Sequence, residues 1–238
     1  MRLSAPIFRL KRRARLLARD QHISLSAALD RIARAEGFNS WSLLAARLTQ
    51  AEPAEKLLAA LAPGELLLLG ARPGHGKTQL AFGLLLAAMT AGRGGWLFSV
   101  DCAESHVLDL FAAHDATPER FGPQFHFDPS ESMSAASVRT GIEGALAGDV
   151  VVIDFLQALD YRRDKPPLER QLPEFRALAR ERGVIVVLIS QVVREFEQSG
   201  LRCPRIEHVR RNNPFELGAI DKACFLHDGV LELTSIAV

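Results

Sequence analysis

Several features that would assign the chain to a membrane or secreted class are missing from its sequence. The longest apolar run, residues 80–89, falls short of the ~20 residues that span a bilayer, and it follows a glycine-rich turn. It therefore predicts a buried helix. The first residues lack an apolar stretch before a small-residue cleavage site, so they do not indicate a secretory signal. No internal repeat or low-complexity tract is present.

Cysteines and regularly spaced metal ligands are also scarce. The three cysteines are scattered and odd in number, which predicts neither a disulfide framework nor a zinc site. The seven histidines show no metal-ligand spacing either. This cysteine usage favours a cytoplasmic protein, because the cytoplasm keeps thiols reduced. Residues 1–19 contain arginine but no acid, as in an organellar transit peptide, although their apolar residues are spaced for packing.

Positive charge is concentrated at one end of the chain. Residues 1–49 hold ten Lys or Arg and three Asp or Glu, about +7 by count. The remaining residues hold 19 basic and 25 acidic side chains, about −6. The net charge of +1 conceals this division. The sequence therefore describes a basic N-terminal head on a mildly acidic body.

The basic head has helical periodicity. Apolar residues recur at helical spacing in residues 8–18 and 25–33, and residues 41–48 predict a third short helix. Ser24 or Ser26 is placed to cap the second helix. Composition then predicts a joint around residues 51–55. The predicted regions are a small all-α N-terminal domain at 1–50, a linker helix at 51–62 and a larger domain at 63–238.

Beyond residue 64, apolar strands alternate with helical segments. The strands are apolar throughout, which is typical of a mainly parallel sheet covered on both faces. Asp228-Gly229 lies between two apolar runs and predicts a closing hairpin. The predicted fold class is therefore α/β. The predicted strands are 65–69, 95–100, 125–127, 150–153, 184–189, 222–227 and 230–236, and the predicted helices are 79–91, 105–113, 135–146 and 168–182.

One glycine-rich turn carries the strongest chemical signal, because it stands between a predicted strand and a predicted helix, as a phosphate-binding loop does. Backbone N–H groups of such a loop point at phosphates, and Gly74 and Gly76 let the backbone approach closely. Lys77 is placed to reach the β- and γ-phosphates, and Thr78 to bind Mg²⁺. The predicted nucleotide-binding residues are Arg72, Pro73, Gly74, His75, Gly76, Lys77, Thr78 and Gln79.

Two residues of this loop, Ala71 and His75, are not explained by phosphate binding alone. Ala71 stands where such loops usually begin with glycine, and His75 is interpreted as an exposed side chain rather than a catalyst. The alternative interpretation is a glycine-rich turn followed by a chance Gly-Lys-Thr. The flanking strand and helix favour the phosphate loop over that alternative.

Three polar residues stand at the ends of other apolar strands. Asp154 follows the loop by about 75 residues, where phosphate-loop proteins hold Mg²⁺. Asp101 is placed to orient an attacking water, with Glu104 as the alternative. Gln191 is placed to touch the γ-phosphate or the water and to relay its loss to the next loop. Each residue also fits a simpler role as a polar strand terminator.

In this order the motifs resemble the C-terminal ATPase domain of DnaB-type replicative helicases, within the RecA-like group. The resemblance covers roughly residues 60–228. It implies a RecA-like P-loop core, ATP as the nucleotide, a catalytic base at Asp101 and a role on DNA, as in DNA replication. The motifs that carry it are Ala71-Arg72-Pro73 with Gly76-Lys77-Thr78, Phe98-Ser99-Val100-Asp101, Val152-Ile153-Asp154-Phe155-Leu156-Gln157, and Ile189-Ser190-Gln191 with Arg194.

The sequence departs from that family at three places. Asp101 is one methylene shorter than the family's glutamate. Residues 230–238 contain no basic residue, whereas the family's last hairpin strand carries a Lys-x-Arg that reaches the neighbouring subunit's nucleotide. The short basic head stands in place of a helical collar. We therefore predict slow hydrolysis unless an arginine after Gln191 replaces the missing finger; the candidates are Arg194, Arg202, Arg205, Arg210 and Arg211.

The head also resembles a helix-turn-helix unit, through an apolar-Ala-x-x-x-Gly-Phe pattern within residues 25–41. Its first predicted helix carries four arginines that would meet DNA phosphates. The alternative is a solvated basic cap packed through Phe38 and Trp41, because a basic patch is only the electrostatic half of a DNA-binding argument. The candidate nucleic-acid residues are Arg12, Arg13, Arg15 and Arg19.

These observations leave hypotheses of two classes. The first is a Mg²⁺-dependent ATPase that acts on or with DNA, with a ring or dimer as its possible homo-oligomer, and has no membrane partner. Lys77, Asp101 and Gln191 would be catalytic, while Thr78 and Asp154 would hold Mg²⁺. The second is a nucleotide-binding switch or adaptor with little turnover, either a degenerate DnaB-like protein or a KaiC-like or RadA-like regulatory ATPase.

Overall fold

The computed structural model describes residues 7–21, 23–130, 132–161, 165–211, 213 and 217–236. At residues 7–9, 11–12 and 45–52 it describes the backbone alone. The chain divides into two compact units, one ending at Ala51 and the other beginning at Glu52. No helix within the described ranges is both long and apolar enough to cross a membrane.

The first unit contains helices α1 (Ile7–Asp20), α2 (Leu25–Ala35) and the start of α3 (Trp41–Ala59). The periodicity of the sequence predicted α1 and α2, and both are confirmed. Ser24 caps α2, because its hydroxyl accepts a hydrogen bond from the N–H of Ala27 at 3.1 Å. A small core forms where buried side chains of the two helices meet; it consists of Leu10, Ala14, Ala28 and Ile32.

Helix α3 is longer than predicted. It runs from Trp41 through Pro53 to Ala59, so the predicted third helix at 41–48 and the predicted linker helix at 51–62 form one element. In place of the expected joint, Ala54 and Leu57 lie one helical turn apart and are buried within the second unit. Burial of this apolar stripe favours continued helix beyond Pro53, which outweighs the local cost of proline.

The second unit is built on a seven-stranded sheet. Its strand order is β3-β2-β4-β5-β1-β6-β7, in which all neighbouring pairs are parallel except β6–β7. The predicted closing hairpin is therefore confirmed as the antiparallel edge. The strands are β1 (Leu66–Ala71), β2 (Gly95–Ser99), β3 (Phe125–Asp128), β4 (Val150–Asp154), β5 (Ile185–Gln191), β6 (Lys222–His227) and β7 (Val230–Ser235).

Helices cover both faces of this sheet, so alternate residues of each central strand enter different cores. Leu67 and Leu69 of β1 face one core, which also holds side chains of α4 and α5. Leu66 and Leu68 face the other core, formed with α7 and α8. All six residues of β1 are buried, which explains why the strands are continuously apolar. The helices are α4 (Lys77–Thr90), α5 (Glu104–Ala113), α6 (Pro118–Phe121), α7 (Ala135–Gly141) and α8 (Leu168–Arg182).

The predicted α/β class is thus confirmed, with local differences at element ends. Helix α7 ends at Gly141 instead of residue 146. The carboxylate of Asp149 accepts a hydrogen bond from the N–H of Leu146 at 3.0 Å, so a loop side chain satisfies a donor that a longer helix would have used. The short helix α6 was not predicted, because four residues give no measurable periodicity.

Candidate functional site

The glycine-rich turn occupies the five residues between β1 and α4. Gly74 and Gly76 have φ values of 82° and 84°, in the left-handed region that glycine enters at no steric cost. A Cβ built on Gly74 would meet no atom within 4 Å, so the backbone there borders open space. The first N–H groups of α4 have no partner inside the helix. The turn therefore has the form of an anion cradle at a helix N-terminus.

A hydroxyl and a carboxylate meet at the base of this turn. Thr78 Oγ1 donates to Asp154 Oδ2 at 3.2 Å, although the two residues lie 76 positions apart. Asp154 ends β4 and is half-buried. Burial raises the pKa of its carboxyl, while the charge of Lys77 and the Thr78 hydrogen bond lower it in part. These two side chains offer partly buried oxygen atoms, and the negative charge of the Asp154 carboxylate is one that a hard divalent cation would balance.

Asp101 lies in the same electrostatic neighbourhood. It is exposed and follows β2, whose last residue, Ser99, stands in register with Asp154. The negative charge of Asp101 raises the pKa of Asp154 further, and the imidazole of His106 opposes that effect. The alternative residue, Glu104, is also exposed and begins α5. Asp101 thus follows the strand beside β4, and its charge acts on the predicted metal ligand.

Gln191 ends β5 directly beside Ala71, the residue from which the glycine-rich turn starts. Its side-chain oxygen accepts from Arg210 Nη1 at 3.1 Å, and its carbonyl accepts from the N–H of Arg210 at 2.8 Å. The candidate finger residue Arg210 is therefore attached to the predicted sensor by two hydrogen bonds within the same chain.

Gln157 connects these residues and was not among the predicted site residues. Its Nε2 donates to Ser190 Oγ at 2.9 Å and to the carbonyl of Arg210 at 2.7 Å, and its Oε1 accepts from the N–H of Gln191 at 3.4 Å. Its side chain is buried. The Leu-Gln that trails Asp154 in the sequence was the available signal, but it did not reveal these partners.

Arg72 and His75 of the turn both contact other segments of the second unit. Arg72 Nε donates to Glu197 at 2.9 Å and its Nη1 donates to the carbonyl of Val192 at 3.1 Å, so its guanidinium holds the segment after β5. That hydrogen bond lowers the pKa of Glu197. The interpretation of His75 as exposed was wrong, because its side chain is 26% exposed and stacks on His227 with ring centroids 4.8 Å apart.

The remaining predicted residues fall in two places. Pro73 is exposed in the loop, and Gln79 is half-buried in the first turn of α4. Of the predicted nucleic-acid residues, all four lie in α1, and the side chains of Arg13, Arg15 and Arg19 are exposed. The side chain of Arg12 lies outside the described residues. Arg13 approaches Glu36 at 4.0 Å, a pairing that the charge count did not anticipate.

Comparison with solved structures identifies the fold of this arrangement. A structure described as an ATPase domain superposes with a TM-score of 0.57 at 18% identity, covering 70% of each chain. A DnaB-like replicative helicase, solved for its interactions with primase, gives 0.54 at 19% identity over 68% of this chain and 47% of its own. No protein family and no curated protein match the sequence.

A KaiC-like protein from Pyrococcus horikoshii OT3, PH0186, also superposes, with a TM-score of 0.52 at 15% identity over 68% of this chain and 70% of its own. This fold, which is shared with a known ATPase domain, thus carries the glycine-rich turn, the carboxylate at the end of β4 and the mainly parallel sheet. The chain has the RecA-like fold of DnaB-type ATPase domains. Within this RecA-like unit, the last strand β7 carries no Lys or Arg.

Gln157 provides a direct test of how the sensor segment is held. Replacing Gln157 with Leu leaves the buried Ser190 hydroxyl and the Arg210 carbonyl without this amide partner, which costs about 1–3 kcal/mol of unfolding free energy. Urea unfolding measures the loss. The exposed Gln198→Leu is the matched control and should change stability by less than about 0.5 kcal/mol. Equal stability of the two variants would contradict the assigned network.

Proposed function

We propose that this protein binds ATP with Mg²⁺ at the glycine-rich turn, hydrolyses it, and acts on or with DNA. The observation that carries the proposal is the Thr78–Asp154 contact of 3.2 Å at the base of an open, left-handed glycine turn. A chance Gly-Lys-Thr sequence would not require a half-buried carboxylate from another strand at this place. The shared RecA-like fold of ATPase domains supports the same conclusion.

The residues divide the work according to their chemistry. The backbone of residues 74–78 and the ammonium of Lys77 bind the phosphates, while the Thr78 hydroxyl and the Asp154 carboxylate provide oxygen ligands for the cation. Bound Mg²⁺ supplies charge stabilisation to the phosphates. The exposed carboxylate of Asp101 accepts a proton from, and orients, the attacking water. The exposure of Asp101 and the effect of its charge on Asp154 support this role.

Gln191 is proposed to report the state of the γ-phosphate to the rest of the protein. It stands beside Ala71 and binds Arg210, and Arg72 binds the same segment at Val192 and Glu197. A change at the phosphates would therefore reach residues 192–210 by two routes. Coupling of this kind requires a segment with two arrangements, which hydrogen exchange with and without nucleotide can detect.

A second candidate function, a switch or adaptor with little turnover, is favoured by one observation. Strand β7 lacks the basic residues that the family uses in trans, and such an arginine contributes about 10³-fold or more in rate. Arg210, bound to Gln191, is the candidate replacement in cis. Nucleotide binding at full affinity with negligible turnover would establish the switch. Measurable turnover that collapses in Arg210→Ala would establish the ATPase.

Lys77 tests the nucleotide site itself. In Lys77→Ala a charged hydrogen-bond donor to the phosphates is lost, at about 1.5–3 kcal/mol, so ATP affinity should fall by about 10- to 100-fold. Lys77 is part-exposed, so the unfolding midpoint should change little. Calorimetric titration with ATP measures the affinity, and the exposed Lys56→Ala is the matched control. Unchanged affinity in Lys77→Ala would remove the proposed phosphate site.

A variant of Asp154 tests the metal site separately from the phosphate site. Asp154→Asn keeps the shape and the ability to pair with Thr78 but removes the charge beside the cation. We expect turnover at limiting Mg²⁺ to fall by at least about 10-fold, with ATP affinity reduced less. Turnover against Mg²⁺ concentration measures the effect, and Asp109→Asn, exposed on α5, serves as control. Wild-type Mg²⁺ dependence in Asp154→Asn would contradict its assignment as a metal residue.

The DNA part of the proposal depends on the basic first unit. Helix α1 has Arg15 and Arg19 four residues apart with both side chains exposed, so they lie on one helical face. Its opposite side carries Leu10 and Ala14 into the small core of the unit. A folded helix with an arginine-rich outer face suits phosphate contact better than an unstructured basic tail, since its charges are held at fixed spacing. Action at a replication fork is one setting for such contacts.

Salt dependence distinguishes this role from that of a structural cap. If Arg12, Arg13, Arg15 and Arg19 each meet a phosphate, log K should fall with log salt at a slope of roughly −3 to −4. The double variant Arg15→Gln/Arg19→Gln should reduce the magnitude of that slope by about 2 and leave ATP affinity unchanged. Fluorescence anisotropy with a labelled DNA measures it.

The matched control for the head variant is Arg120→Gln/Arg170→Gln, which removes the same charge from exposed positions of the second unit. This control should leave the slope within experimental error. If both double variants lower the slope equally, DNA affinity does not come from α1 and reflects net charge alone.

A further inference from the structure

Three potential metal ligands meet beside the phosphate loop. His75 belongs to the loop, His227 ends β6, and Asp228 begins the turn into β7. Their ligand atoms all lie within 4.8 Å of one another. His75 Nδ1 is 3.6 Å from Asp228 Oδ1, and His227 Nε2 is 3.6 Å from Asp228 Oδ2. The sequence did not reveal this group, because His75 and Asp228 are 153 positions apart.

Packing alone does not account for the arrangement. The two imidazole rings are stacked at 15°, with centroids 4.8 Å apart. Among the described residues, the buried Nδ1 of His227 has no hydrogen-bond partner. Asp228 is 77% exposed, and its left-handed φ of 46° is the conformation of a tight Asp-Gly hairpin turn. The turn thus explains the backbone of Asp228, whereas the contacts among the described residues leave an imidazole nitrogen unsatisfied beside two further ligand side chains.

The donor set selects a class of cation. Two imidazole nitrogens with one carboxylate suit first-row transition ions such as Zn²⁺, whereas Mg²⁺ prefers oxygen ligands alone. The N–H of Asp228 approaches His75 Nδ1 at 3.4 Å, so the backbone of the β6–β7 turn lies against the imidazole of the loop. This group is therefore chemically distinct from the Thr78–Asp154 pair.

We propose that His75, His227 and Asp228 bind one transition-metal cation of the Zn²⁺ class and thereby fasten the phosphate loop to the β6–β7 turn. The imidazole rings of His75 and His227 are nearly parallel, so the lone pairs of their nitrogens lie in nearly parallel planes. One ring must therefore rotate before a nitrogen of each can bind the same ion. His227 is held edge-to-face against Phe196, whereas the Asp228 carboxylate is mostly in solvent and His75 belongs to a loop bordered by open space, so His75 is the ring that turns. Three protein ligands leave a fourth position for water.

Thiols do not compete for the ion. The three cysteines are buried, and burial raises the pKa of Cys203 to about 11 and that of Cys224 to about 12. Burial also raises the pKa of Cys102. Since zinc binds the thiolate, these groups are poor ligands in the folded protein. The histidine pair with Asp228 is the group of this kind found in the part of the chain that the structure describes.

The test is titration of the full chain, without an affinity tag and without nucleotide, with Zn²⁺ by calorimetry. Co²⁺ serves as a spectroscopic probe, because its visible absorption reports four-coordinate geometry. We expect one saturable site per chain. Zn²⁺ should also raise the unfolding temperature in proportion to its occupancy, because it binds only the folded arrangement.

Two variants remove ligands with little risk to the fold. Asn tolerates the left-handed backbone of residue 228 and matches Asp in shape, so Asp228→Asn changes only the ligand. Asp228→Asn and His227→Asn should each weaken Zn²⁺ binding by at least about 10-fold, since even partners beyond the ligands contribute that much. His126→Asn, which removes an exposed imidazole stacked on Trp96, is the matched control and should bind as the unchanged chain does.

The outcomes separate this inference from the proposed ATPase function. No saturable binding by the unchanged chain, or equal affinity in all three variants, would overturn the metal site while leaving the nucleotide site untouched. Loss of ATP binding in Lys77→Ala with Zn²⁺ binding preserved would show that the two sites are independent. Loss of the thermal shift in both Asp228→Asn and His227→Asn, with His126→Asn unaffected, is the result that the proposal requires.

Discussion

Both faces of the central sheet are covered by helices, so a polar side chain finds room only where a strand ends. All six residues of β1 and the first four of β4 are buried. Polar side chains with access to solvent therefore lie at, or just after, the carboxyl ends of these strands. Because β1, β4 and β5 are parallel, these ends meet at one edge. Under this constraint Thr78 meets Asp154, and Gln191 lies beside Ala71 where the glycine-rich turn begins, although these residues are remote in sequence.

The same constraint explains how much of the fold the sequence could predict. A strand buried on both faces is continuously apolar, and such runs separated by helical segments, as in β1, β2, β4 and β5, indicate the α/β class. Element ends were predicted less well, because they depend on single hydrogen bonds. Asp149 ends the segment after α7 by accepting from Leu146, and Ala54 and Leu57 extend α3 past Pro53 by packing. Neither effect has a periodicity that a sequence could display.

The candidate site also combines a local motif, which the sequence could predict, with contacts between distant segments, which it could not. The glycine turn with Lys77 and Thr78 is a local motif, so sequence alone predicted it and the structure gives it the left-handed glycines that a phosphate loop needs. Contacts between distant segments could not be predicted, since the charge and type of a residue do not specify which distant residue it will contact. Arg72 reaches Glu197 across 125 positions, and Gln157 reaches Arg210 across 53. Roles assigned to Asp101, Asp154 and Gln191 remain predictions for the experiments above.

These distant contacts give the phosphate loop an unusual set of anchors. Arg72 ties its first part to the segment after β5, His75 ties its middle to the turn after β6, and Thr78 ties its end to β4. A loop with contacts at Arg72, His75 and the adjoining Thr78 cannot change position without disturbing at least one of them. If ATP binds the loop as proposed, these contacts would carry its presence to the β5 and β6 segments whether or not hydrolysis follows. In that case slow turnover and a reporting role would be compatible in one protein, because both would depend on the same contacts.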